Sequence, residues 1–385
     1  MGKSDSDTTD PTSLAAPDGI NTSDLAALRE EIDALDNGIV DLLNRRAAIS
    51  IGVGRAKKDS PETVFKPFRE KEVMDRLAKL NPGPLPESHL HAIYREIMSS
   101  SRRLQRPERV VYLGPEGTFS YFAGLEYLGR SAELTPKANF EEIFRAVADG
   151  EAELGVIPLE NSLQGTVGQV VDLFMLFPVF IHAELFCRIT HCLMGKADFP
   201  ADVKEIHSHP QPLDQCGGWL KNNMPGRTLV PANSTAAAAE VAALRGPEVA
   251  TVGHIRLADR YGLNVLAAHI EDLPDNWTRF LIIGPRPGTE GARDKTSILF
   301  TVPDKPGALA EVLESFAGRA INMTKLESRP LRGEKWKYVF FADLECDLSR
   351  MEYDSFLASL RERCHTLRIL GSYPTGPHLD AGGRQ

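Results

Sequence analysis

Two cations on one amphipathic segment, Arg46 and Lys57, stand eleven residues apart. That is close to three turns of α-helix, so both project from one face and their long side chains can converge on a small dianion. Arg29 precedes Arg46 by seventeen residues, roughly 25 Å along a helix axis, and can reach the same ligand only from an antiparallel second chain. A lone helical arginine is ordinarily a solvated surface group; three cations in this arrangement suggest an anion site shared within a dimer. Further on, Gly114-Pro115-Glu116-Gly117-Thr118-Phe119-Ser120 is a turn that opens a helix, presenting backbone N–H groups and hydroxyls to an anion, although an ordinary capped turn has the same look. Three more polar segments follow: Pro158-Leu159-Glu160-Asn161-Ser162-Leu163-Gln164-Gly165-Thr166-Val167 after a strand, Asn233-Ser234-Thr235 capping a helix, and Asn276-Trp277-Thr278-Arg279-Phe280 before a strand at Leu281–Ile283. Four such loops in one region suggest a cleft. His207 and His209 form an H-x-H pair, but no third ligand is evident, so loop polarity is the better reading and no metal is expected. Glu116 and Glu160 are better read as surface or capping groups than as acids.

The elements that position these residues fall into three patterns. From Leu25 the apolar residues Leu28, Ile32, Leu35, Ile39, Leu42, Ile49 and Val53 keep three-and-four spacing, with Ser23 or Asp24 available as N-cap. The spacing predicts one helix on the order of 50 Å long if it runs to Lys58, more than a domain of this size covers alone. Helices follow over Pro67–Leu80 and Glu87–Gln105, separated by Asn81-Pro82-Gly83-Pro84. At Arg106-Pro107 the pattern changes to alternating strands and helices, beginning with Val110–Leu113 and continuing to about Pro287. After a loop, Ser297–Val302, Ala308–Ala317, Met323–Ser328, Tyr338–Leu344, Tyr353–Arg363 and Leu367–Tyr373 spell βαββαβ, an α+β ferredoxin-like unit. The chain is thus read as multidomain: a disordered lead-in at 1–21, an all-α three-helix domain at 22–106, an α/β domain at 107–288, the ferredoxin-like domain at 294–375 and a tail at 376–385.

Composition agrees. A chain of 385 residues with 42% hydrophobic and 25% charged residues fits two to four globular domains. The net charge of −9 argues against nucleic-acid binding and requires a local group of Arg and Lys wherever an anionic substrate binds. Five cysteines without a C-x-x-C pair indicate neither a disulfide framework nor zinc, which suits a reducing cytoplasm. No signal peptide or membrane span is expected: the N-terminus has no apolar core, and Val170–Ile181 is broken by Asp172 and Pro178.

Leu28-Arg29-Glu30, Leu42-Leu43-Asn44-Arg45-Arg46, Gly54-Arg55-Ala56-Lys57, Arg69-Glu70 and Ser101 with Gln105 resemble the all-helical chorismate mutase family over about residues 22–105. The resemblance implies that Arg46, Arg69 and Arg29 of the partner subunit hold carboxylates, that Lys57 and Gln105 stabilise the breaking ether oxygen, and that Glu70 and Ser101 hold the ring hydroxyl or its neighbours. Lys66 stands where some relatives carry an acidic residue. The four polar segments of the α/β domain, with Ser208-His209-Pro210-Gln211 and Gln215-Cys216, closely resemble the prephenate dehydratase family over about residues 109–287, which implies two α/β lobes about a cleft. By that resemblance Thr278 donates the proton to the departing ring hydroxyl and Arg279 binds or orients a substrate carboxylate. Asn161, Ser162, Thr235, Thr118, Ser120 and Ser234 supply the surrounding donors. Pro306-Gly307-Ala308-Leu309, Asn322 and Glu327-Ser328-Arg329-Pro330 can be a tight turn and a strand stop, but together resemble the ACT regulatory domain. Gly307, Ala308, Leu309, Asn322, Glu327 and Ser328 would then line a phenylalanine site at a domain–domain interface.

Taken in order, the resemblances imply an enzyme of phenylalanine biosynthesis that turns chorismate into prephenate and prephenate into phenylpyruvate, inhibited by phenylalanine. It would need no cofactor and work as a homodimer or homotetramer. Two other readings compete: an arogenate-preferring dehydratase with a vestigial mutase, and a non-catalytic two-lobed small-molecule sensor.

Overall fold

The computed structural model describes residues 24–57, 64–288, 291–331 and 338–379; the expected lead-in at 1–21 lies outside them. Helix α1 (Leu25–Ala56) opens at Asp24, whose carboxylate accepts the Ala26 and Ala27 N–H groups at 3.0 and 3.3 Å, satisfying two of the donors that a helix start leaves unpaired. Helices α2 (Pro67–Leu80) and α3 (Glu87–Gln105) have the expected bounds. The last turns of α1 and α3 touch at Gly54, where a Cβ would sit 2.6 Å from the Gln105 carbonyl oxygen. Elsewhere α1 is poorly covered: Ile32, Leu35, Ile39, Leu42 and Ile49 are exposed, and only Ser50 is buried.

The α/β domain has two lobes. The first contains β1 (Arg109–Leu113), α4 (Phe119–Leu128), β2 (Glu133–Lys137), α5 (Phe140–Ala148), β3 (Leu154–Asn161), β4 (Gly165–Thr166), α6 (Gly168–Leu176) and β5 (Phe180–Arg188). The chain then builds the second lobe from β6 (Cys192–Gly195), β7 (Glu205–Ser208), α7 (Pro210–Gln215), α8 (Gly217–Asn223), β8 (Thr228–Pro231), α9 (Thr235–Arg245), β9 (Val249–Gly253), α10 (Arg256–Tyr261) and β10 (Asn264–Ala267). Strand β11 (Trp277–Gly284) returns to the first lobe and lies antiparallel between β3 and β5. The second lobe's sheet has the order β10-β6-β9-β7-β8.

The C-terminal domain runs β12 (Lys295–Thr301), α11 (Ala308–Ala317), β13 (Met323–Pro330), β14 (Tyr338–Leu344), α12 (Asp354–Arg363), β15 (Thr366–Tyr373). Its antiparallel sheet has the order β13-β14-β12-β15, as a ferredoxin-like unit requires. One face of this sheet packs on α11 and α12 through Val312, Phe316, Phe356 and Leu360. The other face carries Leu299, Phe341 and Tyr373 into the same core as Val111, Phe144, Phe174 and Leu281 of the first lobe. Each buried side chain of this size contributes roughly 1.5–3 kcal/mol, so the C-terminal domain and the first lobe form one packed body. Part of the expected tail joins it as well: β16 (His378–Leu379) pairs in parallel with β5.

Two polar segments expected as loops are strand. β3 continues through Pro158-Leu159-Glu160-Asn161, and β11 begins at Trp277, not at Leu281. Their polar residues do not follow the apolar pattern of a buried strand, because one face looks onto a cleft and the other meets charged groups of the C-terminal domain.

Candidate active site

Strand register sets the cleft's chemistry. Successive strand residues point to opposite faces, and on β11 Thr278 and Phe280 face a cleft of about 620 Å³ between the lobes. Thr278 lies directly across from Asn161 on β3. Asn161 is oriented by its own loop: its Oδ1 accepts the Leu163 and Gln164 N–H groups at 3.0 and 3.1 Å. Its Nδ2 must therefore be the donating end, and it donates to Thr278 Oγ1 at 3.0 Å and to Asn276 Oδ1 at 2.7 Å. The Thr278 oxygen thus receives a hydrogen bond from a fixed amide. Thr278 lines the cleft, and a hydroxyl whose oxygen accepts one bond still has its own proton to donate.

Among the described residues no Arg or Lys lines this cleft. The N-termini of α4 and α9 do line it, and a helix start, with its N–H groups and the positive end of its dipole, favours an anion. Thr118 caps α4 by accepting the Tyr121 N–H at 3.4 Å, and its hydroxyl donates to the Leu113 carbonyl at 2.9 Å. Ser234 caps α9 by accepting the Ala237 N–H at 3.0 Å. Ser120 and Thr235 stand in the first turns of the two helices and line the cleft. Ser162 does not line it: its hydroxyl accepts the Trp277 N–H at 2.9 Å and donates to the Asp275 carbonyl at 3.2 Å, bracing the start of β11. Gln211 Nε2 donates to Gln164 Oε1 at 2.6 Å, tying the second lobe to the first. Asn276, Gln164 and Gln211 were absent from the sequence-based site. All three sit inside the quoted motifs, but only the fold shows which way they face.

Arg279 points the other way. Alternation places it on the opposite face of β11, 4% exposed, where its guanidinium pairs with Asp343, with Glu184 at 2.7 Å and with the Tyr373 hydroxyl at 3.1 Å. Lys295 adds a second cation, 2.9 Å from Glu184. Burial alone would raise the Asp343 carboxyl, but Arg279, with Lys295 and Ser297, holds it below its usual range. Burial likewise works against the charge of Arg279, and Tyr373, Asp343 and Glu184 more than offset it. Arg279 is expected to bind or orient a substrate carboxylate, and here the sheet lies between its guanidinium and the cleft.

In the helical domain the structure brings Arg46 to Ser101, whose Oγ accepts from the Arg46 Nη1, with the Ile97 carbonyl 3.4 Å from the same nitrogen. Gln105 is held against Gly54, one turn from Lys57 at the end of α1. Arg69 and Glu70 are not gathered there. Arg69 is exposed and paired at 3.0 Å with Glu72, while Glu70 turns to the buried Arg102, which also lies 3.3 Å from Glu108. Burial raises the Glu108 carboxyl to about 7 despite the lowering effect of Arg102. Lys66 occupies the N-cap position of α2, and Arg29 is exposed on α1.

The C-terminal motifs lie apart within one chain. Gly307, with φ at +83°, caps α11 ahead of Ala308 and Leu309. Glu327 and Ser328 belong to the edge strand β13, two strands from β12, which is roughly 10 Å. Asn322 donates to Glu345 Oε2 at 2.7 Å. The inward face of β13 touches the first lobe, with Lys325 Nζ at 2.7 Å from Glu160 and 2.8 Å from Thr166 Oγ1, and Arg329 at 3.3 Å from Asp172. Glu116 pairs with Arg260, and His207 stands 2.9 Å from Glu205.

Comparison with known proteins adds three family matches in chain order: chorismate mutase type II over residues 28–106, prephenate dehydratase over 110–288, and ACT domain over 296–350. A bifunctional chorismate mutase/prephenate dehydratase of Aquifex aeolicus is 39% identical over 91% of this chain and 98% of its own length. Among solved structures, the prephenate dehydratase of Arthrobacter aurescens in complex with L-Phe is 33% identical, with a TM-score of 0.63 over 69% of this chain and 90% of that one. A quorum-quenching acylase is similar to the same degree, 32% identical with a TM-score of 0.62 over 69% of this chain and 97% of its own.

Proposed function

The chain belongs to the bifunctional chorismate mutase/prephenate dehydratase family, and from that premise we propose how its own residues carry the two reactions. It is an enzyme of phenylalanine biosynthesis that rearranges chorismate to prephenate, then decarboxylates and dehydrates prephenate to phenylpyruvate, under feedback control by phenylalanine. The non-catalytic sensor reading falls with this assignment.

In the dehydratase, Thr278 is the general acid. As the C–C bond to the ring carboxylate breaks, its electron pair enters the ring, CO₂ departs, and the C–O bond at the far ring carbon breaks. The ring hydroxyl takes the Thr278 proton and leaves as water, and solvent returns a proton to the threonine oxygen. A threonine hydroxyl is a weak acid, so the developing alkoxide needs a donor already in place. The Asn161 Nδ2 donor at 3.0 Å from Thr278 Oγ1 is the observation that carries the proposal. The N-termini of α4 and α9 hold substrate carboxylate through backbone N–H groups and the hydroxyls of Ser120, Ser234 and Thr235, while Thr118 fixes the start of α4 and Ser162 acts through the start of β11.

In the mutase no nucleophile or proton transfer is required. Catalysis comes from fixing the reactive conformer and meeting charge on the breaking ether with donors. Arg46, with Ser101, Lys57 and Gln105, forms one half of the site. Arg29 of the partner subunit completes it, and Lys66, Arg69 and Glu70, at the start of α2, join it when Arg69 leaves Glu72 and Glu70 leaves Arg102. The exposed apolar face of α1 supports a homodimer built on that helix, or a homotetramer of such pairs. In the C-terminal domain, Gly307, Ala308, Leu309, Asn322, Glu327 and Ser328 bind phenylalanine across a domain–domain interface, since one chain alone leaves the two motifs apart. Prephenate rather than arogenate is the substrate that the family match over residues 110–288 supports. The cytoplasm is the fitting compartment, supported by five free cysteines; among the described residues no helix is long and apolar enough to cross a membrane.

The test is to incubate the purified protein with chorismate at neutral pH and separate prephenate from phenylpyruvate, with and without phenylalanine. Phenylpyruvate formation that phenylalanine suppresses is expected. Prephenate accumulating without phenylpyruvate would overturn the dehydratase mechanism, and unchanged chorismate would overturn the mutase one.

A further inference from the structure

Thr278 and Arg279 are consecutive on β11, yet one faces the cleft and the other the C-terminal domain. The partners of Arg279 are nearly all buried: Glu184 is 0%, Asp343 1% and Tyr373 0% exposed. Two of them, Asp343 on β14 and Tyr373 on β15, belong to the C-terminal sheet, and Glu184 belongs to β5 beside β11. Buried ion pairs are weak contributors to stability, because desolvation cancels much of their attraction. What such a pair does well is fix geometry, since its short charge-assisted bonds tolerate little displacement.

A second contact reaches the other half of the catalytic pair. Asp343 stands opposite Lys325 in the β13–β14 ladder, and the Lys325 ammonium lies 2.7 Å from Glu160, the residue before Asn161. Glu160 is in turn the ladder partner of Arg279. The C-terminal sheet therefore grips the Thr278–Asn161 pair twice, from beneath through Asp343 and Arg279 and from the side through Lys325 and Glu160. Strand β13, which makes the second grip, also carries Glu327 and Ser328. Because the sheet shares a close-packed core with the first lobe, a ligand on it cannot swing the domain freely. It can shift strands by a fraction of an ångström, and packed interiors transmit such shifts.

We propose that Arg279 is a positioning residue rather than a substrate ligand: its buried ion pair with Asp343, together with Lys325–Glu160, sets the Thr278–Asn161 distance and carries phenylalanine occupancy to the catalytic hydroxyl. The proposal rests on the reading of Thr278 as general acid.

The experiment uses the full-length enzyme and compares Asp343→Asn, Arg279→Lys, the double variant and Lys325→Met. Each is assayed for dehydratase kcat and KM with prephenate, for the phenylalanine concentration giving half inhibition, and for mutase rate on the same preparation. Asp343→Asn should lower dehydratase kcat tenfold or more with KM for prephenate held within about threefold. The double variant should lose little more than the worse single one, as expected for residues acting as one unit. Lys325→Met should raise the phenylalanine requirement fivefold or more. If Asp343→Asn melts below assay temperature, Tyr373→Phe, which keeps the ring in the core and removes only the hydroxyl 3.1 Å from Arg279, is read by the same criteria. A rise in KM at constant kcat in Arg279→Lys would return Arg279 to the substrate. Unchanged kcat and unchanged phenylalanine response in Asp343→Asn would sink the coupling. Thr278→Val run in parallel separates the two ideas: if it stays active the general-acid reading fails, whatever the Asp343 variants do.

Discussion

Replacing Thr278 by valine removes one oxygen and leaves almost everything else. Valine keeps the β-branch and nearly the volume of threonine, and the site is only 8% exposed, so packing on β11 survives. Asn161 Nδ2 loses the acceptor at 3.0 Å but keeps Asn276 Oδ1 at 2.7 Å and the Trp277 carbonyl at 3.4 Å. The structural cost is therefore one modest hydrogen bond, about 1 kcal/mol, and a melting temperature lowered by roughly 2–4 °C. The catalytic cost is of another size. A positioned general acid contributes about 10²–10⁴-fold, or roughly 3–5 kcal/mol of barrier. Phenylpyruvate release from prephenate at neutral pH should accordingly fall at least a hundredfold in kcat with little change in KM, while the mutase on the same chain keeps its rate and certifies the fold. Asn161→Ala should fall by about 10²-fold, in the range for removing one preorganised donor. Retention of more than a tenth of kcat by Thr278→Val would refute the assignment of the proton donor.

Arg29→Ala and Arg46→Ala should each lower mutase kcat/KM, by roughly 10- to 150-fold for one charge-assisted hydrogen bond. Co-refolding the two should restore about a quarter of native activity, because half of a statistical mixture is heterodimer with one intact site; no recovery would mean that the site is not shared. Glu108 titrates at about 7 in the folded chain against an ordinary 4.5, so the native state holds its proton more firmly than the unfolded state between those values. Stability should fall as pH rises through that window, by on the order of 3 kcal/mol. Glu108→Gln should flatten the melting curve from pH 5 to 8 and be the more stable form at pH 8; a parallel profile would contradict this. Gly307→Ala forces a side chain onto φ +83°, a cost of about 1–2 kcal/mol, and should raise the phenylalanine concentration for half inhibition about tenfold.

The sequence by itself determined the order and kind of the domains, because that information is periodic and local. The bounds of α2, α3, α11 and β14 coincide with their expected ranges, since proline, glycine and apolar spacing mark them in the chain. It also marked the segments that form the cleft. It misjudged where β3 ends and where β11 begins, because polar residues at a cleft and at a charged domain contact carry no apolar alternation. That error concealed the strand parity that sends Thr278 into the cleft and Arg279 away from it. Asn161 as the donor to Thr278 depends on a cross-strand register 117 residues apart, and the Arg279–Asp343 pair on a contact 64 residues apart. That no Arg or Lys among the described residues lines the cleft was equally invisible, because lining depends on how the two lobes face each other. Tertiary structure alone decided these matters: side-chain chemistry is written in the chain, but direction, partner and burial are properties of the folded sheet.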